Sequence, residues 1–241
     1  MKPPSNKQTR KATESAARER AAALKAAHER QDRRRKLMAR GGIGLVVAAI
    51  IGVVVAIPLL SSPSKPNGVL HDIAAQGAAS PPPWPVPANT KEQVAKAGLA
   101  LLPNEAVVRH DHDHLDIYVD GKSQTVPAFI GIEGGANATG YAPLHTHDAS
   151  GVIHIEAADA NARFSLGQVF NEWNVLLTPT QIGSLKAGGG KTLTVYVDGK
   201  VLKTDPSKLE LTKHQEIAIV YGTTVENSMV KVPKSYKWGD L

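Results

Sequence analysis

The chain has 241 residues, a formal net charge of +6 and no cysteine. This length suits one or two domains, and the lack of thiols excludes disulfides, thiolate metal sites and cysteine catalysis. The positive charge is confined to one end, because residues 1–40 hold thirteen Lys/Arg against four Asp/Glu, a net +9, and the other residues carry −3. A basic surface spread over the whole protein, as in many nucleic-acid-binding proteins, is therefore not indicated.

Residues 41–60, GGIGLVVAAIIGVVVAIPLL, contain no charged residue. Twenty helical residues extend about 30 Å, the thickness of a bilayer core, so this segment predicts a single transmembrane helix. A cleaved signal peptide would have a shorter leader and a shorter apolar run. Because RRRK at 33–36 and Arg40 precede the segment, we expect residues 1–40 to be a basic cytoplasmic tail and the rest to lie outside the cell membrane.

The lipid bilayer is the partner that these features predict. The transmembrane helix would span it, and the basic juxtamembrane residues would contact anionic headgroups. No nucleic-acid partner is expected, and no feature of the sequence identifies a protein partner. Residues 61–89 are rich in Pro, Ser and Ala, which predicts a stiffened spacer in front of the next domain. Within this spacer, Trp84 is assigned no role.

Residues 90–225 are predicted to form the extracytoplasmic domain, and residues 226–241 a C-terminal tail. A first helix should begin at Thr90, which has capping-box spacing to Gln93. A weak repeat follows, HLDIYVDGK at 114–122 and TLTVYVDGK at 192–200. Each copy alternates apolar and polar residues and then reaches Asp-Gly, which favours a β-hairpin with a type I′ turn.

One packed helix is expected between the two hairpins. Ser165 and Gln168 have capping-box spacing, and apolar residues repeat behind them at helical intervals: Leu166, Val169, Phe170 and Trp173. Further on, Pro179 and Gly188 fit the first turn and the end of another helical segment. Residues 214–222 predict a last strand. This pattern indicates an α+β fold, and we expect a small β-grasp-like sheet, mixed or antiparallel, around the helix.

Six of the nine histidines lie in two short segments, residues 110–114 and 145–154. In the first segment His110, His112 and His114 alternate with aspartate. Alternate residues of a strand share a face, so two neighbouring histidines there could chelate one ion. Asp111 and Asp113 would then face the core, and aspartate is rarely buried unless it is paired. We therefore expect the buried strand to begin near His114, and His110 and His112 to lie on a loop or an exposed edge.

The second histidine segment predicts another hairpin. Residues 148–151, DASG, have turn composition, and a four-residue loop would place His145 opposite His154. His147 and Glu156 would then project from the same side of the hairpin. A register shift of one residue would separate these groups.

Together the two segments predict a divalent transition-metal site. The candidate ligands are His110, His112, His114, His145, His147, His154 and Glu156, with Asp116 and Asp148 as further oxygen ligands or as partners of the histidines. Imidazole-rich sites suit zinc, copper(II), nickel or iron, and we expect zinc or copper(II). Six histidines exceed the usual three or four ligands of one ion, so either two sites exist or some rings lie outside the coordination shell.

Three functions remain open from the sequence. The expected function is a membrane-anchored, outward-facing protein that binds a divalent transition metal through the histidines. A metal-dependent enzyme would also need an open coordination position and a substrate cleft, and no reaction or catalytic residue is indicated. A cell-envelope interaction module without metal would use the histidines as surface or pH-responsive groups.

Three motifs carry a resemblance to known proteins: HDHDHLDIYVDGK…VPAFIGI, PLHTHDASGVIHIE and FSLGQVFNEWNV. They resemble those of an uncharacterised family of secreted or membrane-anchored bacterial proteins, mainly actinobacterial. The resemblance covers residues 106–222. It implies an architecture and an extracytoplasmic location, and it implies no particular reaction.

Overall fold

The computed structural model describes residues 76–239. Across these residues the protein is a mixed α+β structure with many short strands and few helices, which confirms the predicted α+β class. No helix within this range has the length and apolarity to cross a bilayer. The predicted tail at 1–40 and the predicted transmembrane segment at 41–60 lie outside the described residues.

The helices of the described range are short. The α-helices are α1 (Thr90–Lys96), α2 (Leu166–Glu172) and α3 (Thr224–Ser228), and two 3-10 helices span Gly135–Asn137 and Pro206–Lys208. The strands, in chain order, are β1 (Arg109–Val119), β2 (Lys122–Gln124), β3 (Ile132–Glu133), β4 (Gly140–Tyr141), β5 (Leu144–His145), β6 (Val152–Ala157), β7 (Phe164–Ser165), β8 (Leu177–Thr178), β9 (Gln181–Ile182), β10 (Leu185–Lys186), β11 (Lys191–Val197), β12 (Lys200–Val201), β13 (Glu210–Leu211) and β14 (Glu216–Thr223).

A seven-stranded sheet organises the domain, in the order β12-β11-β14-β1-β6-β5 with β2 also paired to β1. The central pair β1 and β14 is parallel, and the other pairs of this sheet are antiparallel. β1 is long enough to pair with β6 through its first half and with β2 through its second half. On its other side β1 pairs with β14 only from His114 to Val119, so residues 109–113 have a paired strand only on the β6 side.

The two predicted hairpins form, β1–β2 and β11–β12. At their turns Asp120-Gly121 has φ of 52° and 76°, and Asp198-Gly199 has φ of 50° and 74°. Positive φ at both turn residues is what a type I′ turn requires. β14 lies between the hairpins, so that Ile219 pairs with Ile117 on one side and with Val195 on the other.

The core lies between the sheet and α2. The predicted apolar stripe of this helix is buried: Leu166, Val169, Phe170 and Trp173 are each no more than 1% exposed. Gln168 completes the predicted cap, since its Oε1 accepts a hydrogen bond from Ser165 N at 2.9 Å. Its Nε2 donates to Ala97 O at 3.0 Å, which ties α2 to the end of α1.

Two local predictions were wrong. The first helix does begin at Thr90, but its N-cap is Asn89 and the predicted capping box of Thr90 and Gln93 does not form; Asn89 Nδ2 donates to the side chain of Glu92 at 2.7 Å. The segment between Pro179 and Gly188 is not a helix but contributes β9 and β10 to the three-stranded sheet β8-β9-β10. The buried Ile182 pairs with strands on both of its sides there, and Gly183 makes the turn with a φ of 51°.

Trp84, assigned to the spacer without a role, belongs to the core. It is 3% exposed and meets Trp173 edge to face, with ring centroids 6.0 Å apart. Trp173 Nε1 also donates to Trp84 O at 3.1 Å. Upstream, Ala78 forms a bridge with Val175. The described end of the Pro-rich segment therefore packs against the domain, which its composition did not indicate.

The C-terminal segment also contacts the sheet. Tyr236 stacks on His114 with ring centroids 4.1 Å apart, and Trp238 stacks on His214 at 4.4 Å. These contacts lie within the segment that the sequence assigned to a tail. The domain boundaries themselves remain predictions.

We expect Trp84→Ala to lower the free energy of unfolding by about 3–5 kcal/mol, because removal of a buried tryptophan leaves a cavity. The matched control is Val201→Ala, at a position 44% exposed, which should cost less than about 0.5 kcal/mol. Urea unfolding followed by circular dichroism measures both. Equal, small effects of the two substitutions would contradict the packing of residue 84 into the core.

Candidate metal centre

All three histidines of the first segment lie within β1, so none of them is on a loop, and the expectation of an exposed position was wrong for His112 but not for His110. His112 and His114 are buried, and His110 is exposed near the strand's start. Asp113, one of the aspartates behind that expectation, is fully buried. Its Oδ1 accepts a hydrogen bond from Gln215 N at 2.8 Å, and burial raises the pKa of Asp113 to about 7.

The two histidine segments meet on one face of the sheet. His145 of β5 pairs with His154 of β6, which confirms the predicted register. On the other side of β6, His154 pairs with His112 of β1, and Glu156 pairs with His110. Directly opposed residues project from the same face. His154 therefore lies between His145 of β5 and His112 of β1.

The first possible ligand group comprises His145, His147, His154 and Glu156, whose ligand atoms lie within 4.8 Å of one another. His145 Nε2 and His147 Nε2 are 3.1 Å apart. Glu156 Oε1 lies 3.5 Å from His154 Nδ1 and 4.0 Å from His145 Nε2. With metal–nitrogen bonds of about 2.0–2.1 Å, two ligand atoms of a tetrahedral ion lie about 3.3–3.4 Å apart. These spacings suit a single ion.

The second possible ligand group comprises His110, His112 and His154, again within 4.8 Å. His112 Nε2 lies 3.2 Å from His154 Nδ1. His110 Nε2 lies 3.3 Å from Glu156 Oε1. Both His154 and Glu156 are therefore within reach of both groups.

Glu105 was not among the predicted ligands. Its Oε1 lies 3.3 Å from His147 Nε2, and its side chain is 9% exposed. It belongs to the segment between α1 and β1, where the surrounding residues LPNEAVV show no motif. Only the fold brings this carboxylate beside the histidines.

The backbone sets the orientation of His145. Its Nδ1 lies 2.8 Å from Ala142 O, and because a carbonyl oxygen only accepts, Nδ1–H is the donor and the Nε2 lone pair faces the cluster. Between His145 and His147, Thr146 is fully buried; its hydroxyl donates to Pro127 O at 2.8 Å and accepts from Ile130 N at 3.1 Å. This anchoring fixes the positions of the two flanking rings.

The rings at the centre of the cluster are neutral at pH 7. Burial lowers the pKa of His145 to about 3 and the pKa of His112 to about 4, and neighbouring rings add to the effect. Burial and the same neighbours also lower the pKa of His154. A neutral imidazole is the form that binds a metal ion.

His114 lies apart from the other histidines and groups with Asp116 and Glu216 instead. Its Nε2 lies 2.8 Å from Ser150 O, and its Nδ1 lies 3.1 Å from both carboxylate oxygens of Glu216. Burial alone would lower the pKa of His114, but the hydrogen bond and charge of Glu216 raise it above its ordinary value. A ring that donates from both nitrogens offers no lone pair, which argues against a ligand role for His114.

The predicted oxygen ligand Asp148 has a role in the turn. It is exposed, and its Oδ1 accepts a hydrogen bond from Ser150 N at 2.8 Å. The turn ends at Gly151, which has a φ of 90° and where an added Cβ would lie 2.5 Å from Leu115 O. Glycine therefore allows this turn to lie directly against β1.

We expect Glu216→Gln to lower the pKa of His114, because it removes the negative charge and leaves the effect of burial. Titration of the His114 ring protons by NMR measures this shift. Glu210→Gln, which removes a carboxylate paired with Arg163 on the surface, is the control and should leave the His114 pKa unchanged. A His114 pKa that is equal in the wild type and Glu216→Gln would contradict the ion pair.

The metal-free protein should lose stability when the pH falls below about 6.5, the pKa of an unfolded histidine. His112 takes up its proton only near pH 4 in the folded state, so between these values it contributes a loss of about 1.4 kcal/mol per pH unit. Asp113, whose pKa is raised in the folded state, has the opposite effect and increases stability as the pH falls. The test is therefore the difference between wild type and His112→Gln in urea unfolding, and the variant should show the weaker acid dependence. Parallel pH profiles would contradict this.

Comparisons with known proteins add no assignment to this geometry. No family model, no curated protein and no solved structure matches the chain.

Proposed function

We propose that the chain is a membrane-anchored, extracytoplasmic protein that binds a divalent transition metal, zinc or copper(II), through its histidine cluster. The observation that carries the proposal is the first ligand group. It gathers three histidines and one glutamate from β5, the adjoining turn and β6, with their ligand atoms within 4.8 Å. The group consists of His145, His147, His154 and Glu156.

The protonation of the rings favours a metal ion over a purely hydrogen-bonded network. His145 Nε2 and His147 Nε2 face one another at 3.1 Å, and the pKa of His145 is lowered to about 3 by burial and by this neighbour. The cluster thus places nitrogen lone pairs and the buried carboxylate of Glu156 close together. A divalent cation satisfies both, since it accepts the lone pairs and balances the negative charge.

The ligand chemistry favours zinc or copper(II). Imidazole nitrogens with one or two carboxylate oxygens suit both ions, and the chain has no thiolate to favour softer ions. The second ring nitrogen of His145, Nδ1, also donates a hydrogen bond to Ala142 O, the arrangement common for metal-bound histidines.

A metal-dependent enzyme is the second candidate. The side chain of His110 is 40% exposed and that of His147 is 16% exposed, so solvent reaches two sides of the cluster. A catalytic ion needs a coordination position that the protein leaves open. The first ligand group supplies four protein ligands, enough to fill a tetrahedral shell, which favours binding over catalysis.

The membrane anchor is proposed from the sequence. Residues 41–60 have the length and composition of a transmembrane helix, and the basic residues before them favour a cytoplasmic N-terminus and an outer C-terminal domain. The β-grasp-like description is also a proposal, supported by the partial order β2-β1-β14-β11-β12 around α2. Membership of the actinobacterial family that the motifs resemble is likewise a proposal.

The direct test is zinc binding by the full-length chain, purified in detergent without a polyhistidine tag and freed of metal by chelation. Zinc affinity is measured by competition with a chromophoric chelator. We expect His147→Asn to weaken zinc binding by more than the roughly 10–100-fold typical for loss of an outer-shell partner. His214→Asn is the matched control, because this histidine stacks on Trp238 and is in none of the ligand groups.

The control should bind zinc as the wild type does. A wild-type chain that takes up neither zinc nor copper(II) would remove the proposal. Equal losses in His147→Asn and His214→Asn would also contradict it, because the loss would then not come from the cluster.

A further inference from the structure

Resting on the metal-binding function proposed above, we infer that the cluster binds two metal ions, bridged by the carboxylate of Glu156. The ligands of the first ion are His145, His147 and Glu105, and those of the second ion are His110, His112 and His154. Each ion thus has three ligands of its own and shares Glu156. The sequence left open whether the excess of histidines meant a second ion or unused rings, and the geometry decides between these alternatives.

Two close contacts between ring nitrogens share no atom. His145 Nε2 lies 3.1 Å from His147 Nε2, and His112 Nε2 lies 3.2 Å from His154 Nδ1. Each distance is close to the roughly 3.3 Å expected between two nitrogens on one tetrahedral ion. The rings of His110 and His112 group with His154 and not with the first pair. The cluster therefore contains two chelating pairs rather than one enlarged site.

Glu156 lies between the two pairs. Its Oε1 is 3.5 Å from His154 Nδ1 on one side and 4.0 Å from His145 Nε2 on the other. It is also 3.3 Å from His110 Nε2, the third ligand of the second ion. A shared carboxylate suits the separation of about 3.5–4 Å found between the ions of two-metal sites. The side chain is 3% exposed, so its position is fixed by the protein.

Glu105 completes the first ion. Because His154 Nδ1 is assigned to the second ion, the first ion needs another ligand. Glu105 can supply it, since its Oε1 lies 3.3 Å from His147 Nε2. In a one-ion arrangement built on the first ligand group this carboxylate would be an outer-shell partner of His147, and in the two-ion arrangement it becomes a ligand. The two carboxylates also reduce the repulsion between two divalent cations, since one lies between the ions and the other lies beside the first.

The experiment measures how many zinc ions the full-length, untagged chain retains. The metal-free protein is titrated with zinc in a calorimeter, desalted, and analysed for bound zinc by mass spectrometry. We expect two ions per chain for the wild type, one for His110→Asn and one for His147→Asn. His214→Asn is the control and should retain two.

Copper(II) supplies a second readout. With two equivalents of copper(II) bound, the wild type should show the half-field transition of a coupled pair in electron paramagnetic resonance. His110→Asn should show only the spectrum of an isolated ion.

The outcomes separate this inference from the proposed function. No bound zinc in the wild type would remove both. One ion in the wild type, or two ions retained in both His110→Asn and His147→Asn, would overturn the two-ion inference and leave metal binding in place.

Discussion

The pairing of β1 with β6 is the constraint on which the candidate site depends. It sets His112 opposite His154 and His110 opposite Glu156, and because β6 also pairs with β5, it brings His145 to the same face. A shift of one residue in this register would turn one set of rings to the other face of the sheet. The distances that join the two histidine segments follow from this alignment.

Backbone contacts hold the alignment. The turn between β5 and β6 lies against β1, where Gly151 O accepts a hydrogen bond from Leu115 N at 3.0 Å and Ser150 O accepts one from His114. The latter contact gives His114 a structural role, since its ring links the turn to Glu216 of β14. One histidine of the motif thus stabilises the frame in which the others meet.

Much of the fold could be predicted because its signals are local. The Asp-Gly turns, the capping residues Ser165 and Gln168 and the pairing of His145 with His154 all depend on residues within about ten positions of one another. The meeting of the two histidine segments could not be derived in this way, since His112 and His154 are 42 positions apart. The same limit applies to Glu105 and to Glu216, which is 102 positions from His114. Asp113 misled the prediction because a backbone amide and a raised pKa allow an aspartate to be buried.

The central claim is that imidazoles of this sheet face bind a transition metal directly. Zinc K-edge X-ray absorption of the zinc-loaded, full-length chain tests it most directly. We expect a first shell of about four nitrogen and oxygen atoms near 2.0 Å, with the outer-shell scattering typical of imidazole rings. A shell of about six oxygens without imidazole scattering, as for a hydrated ion held loosely at the surface, would contradict it.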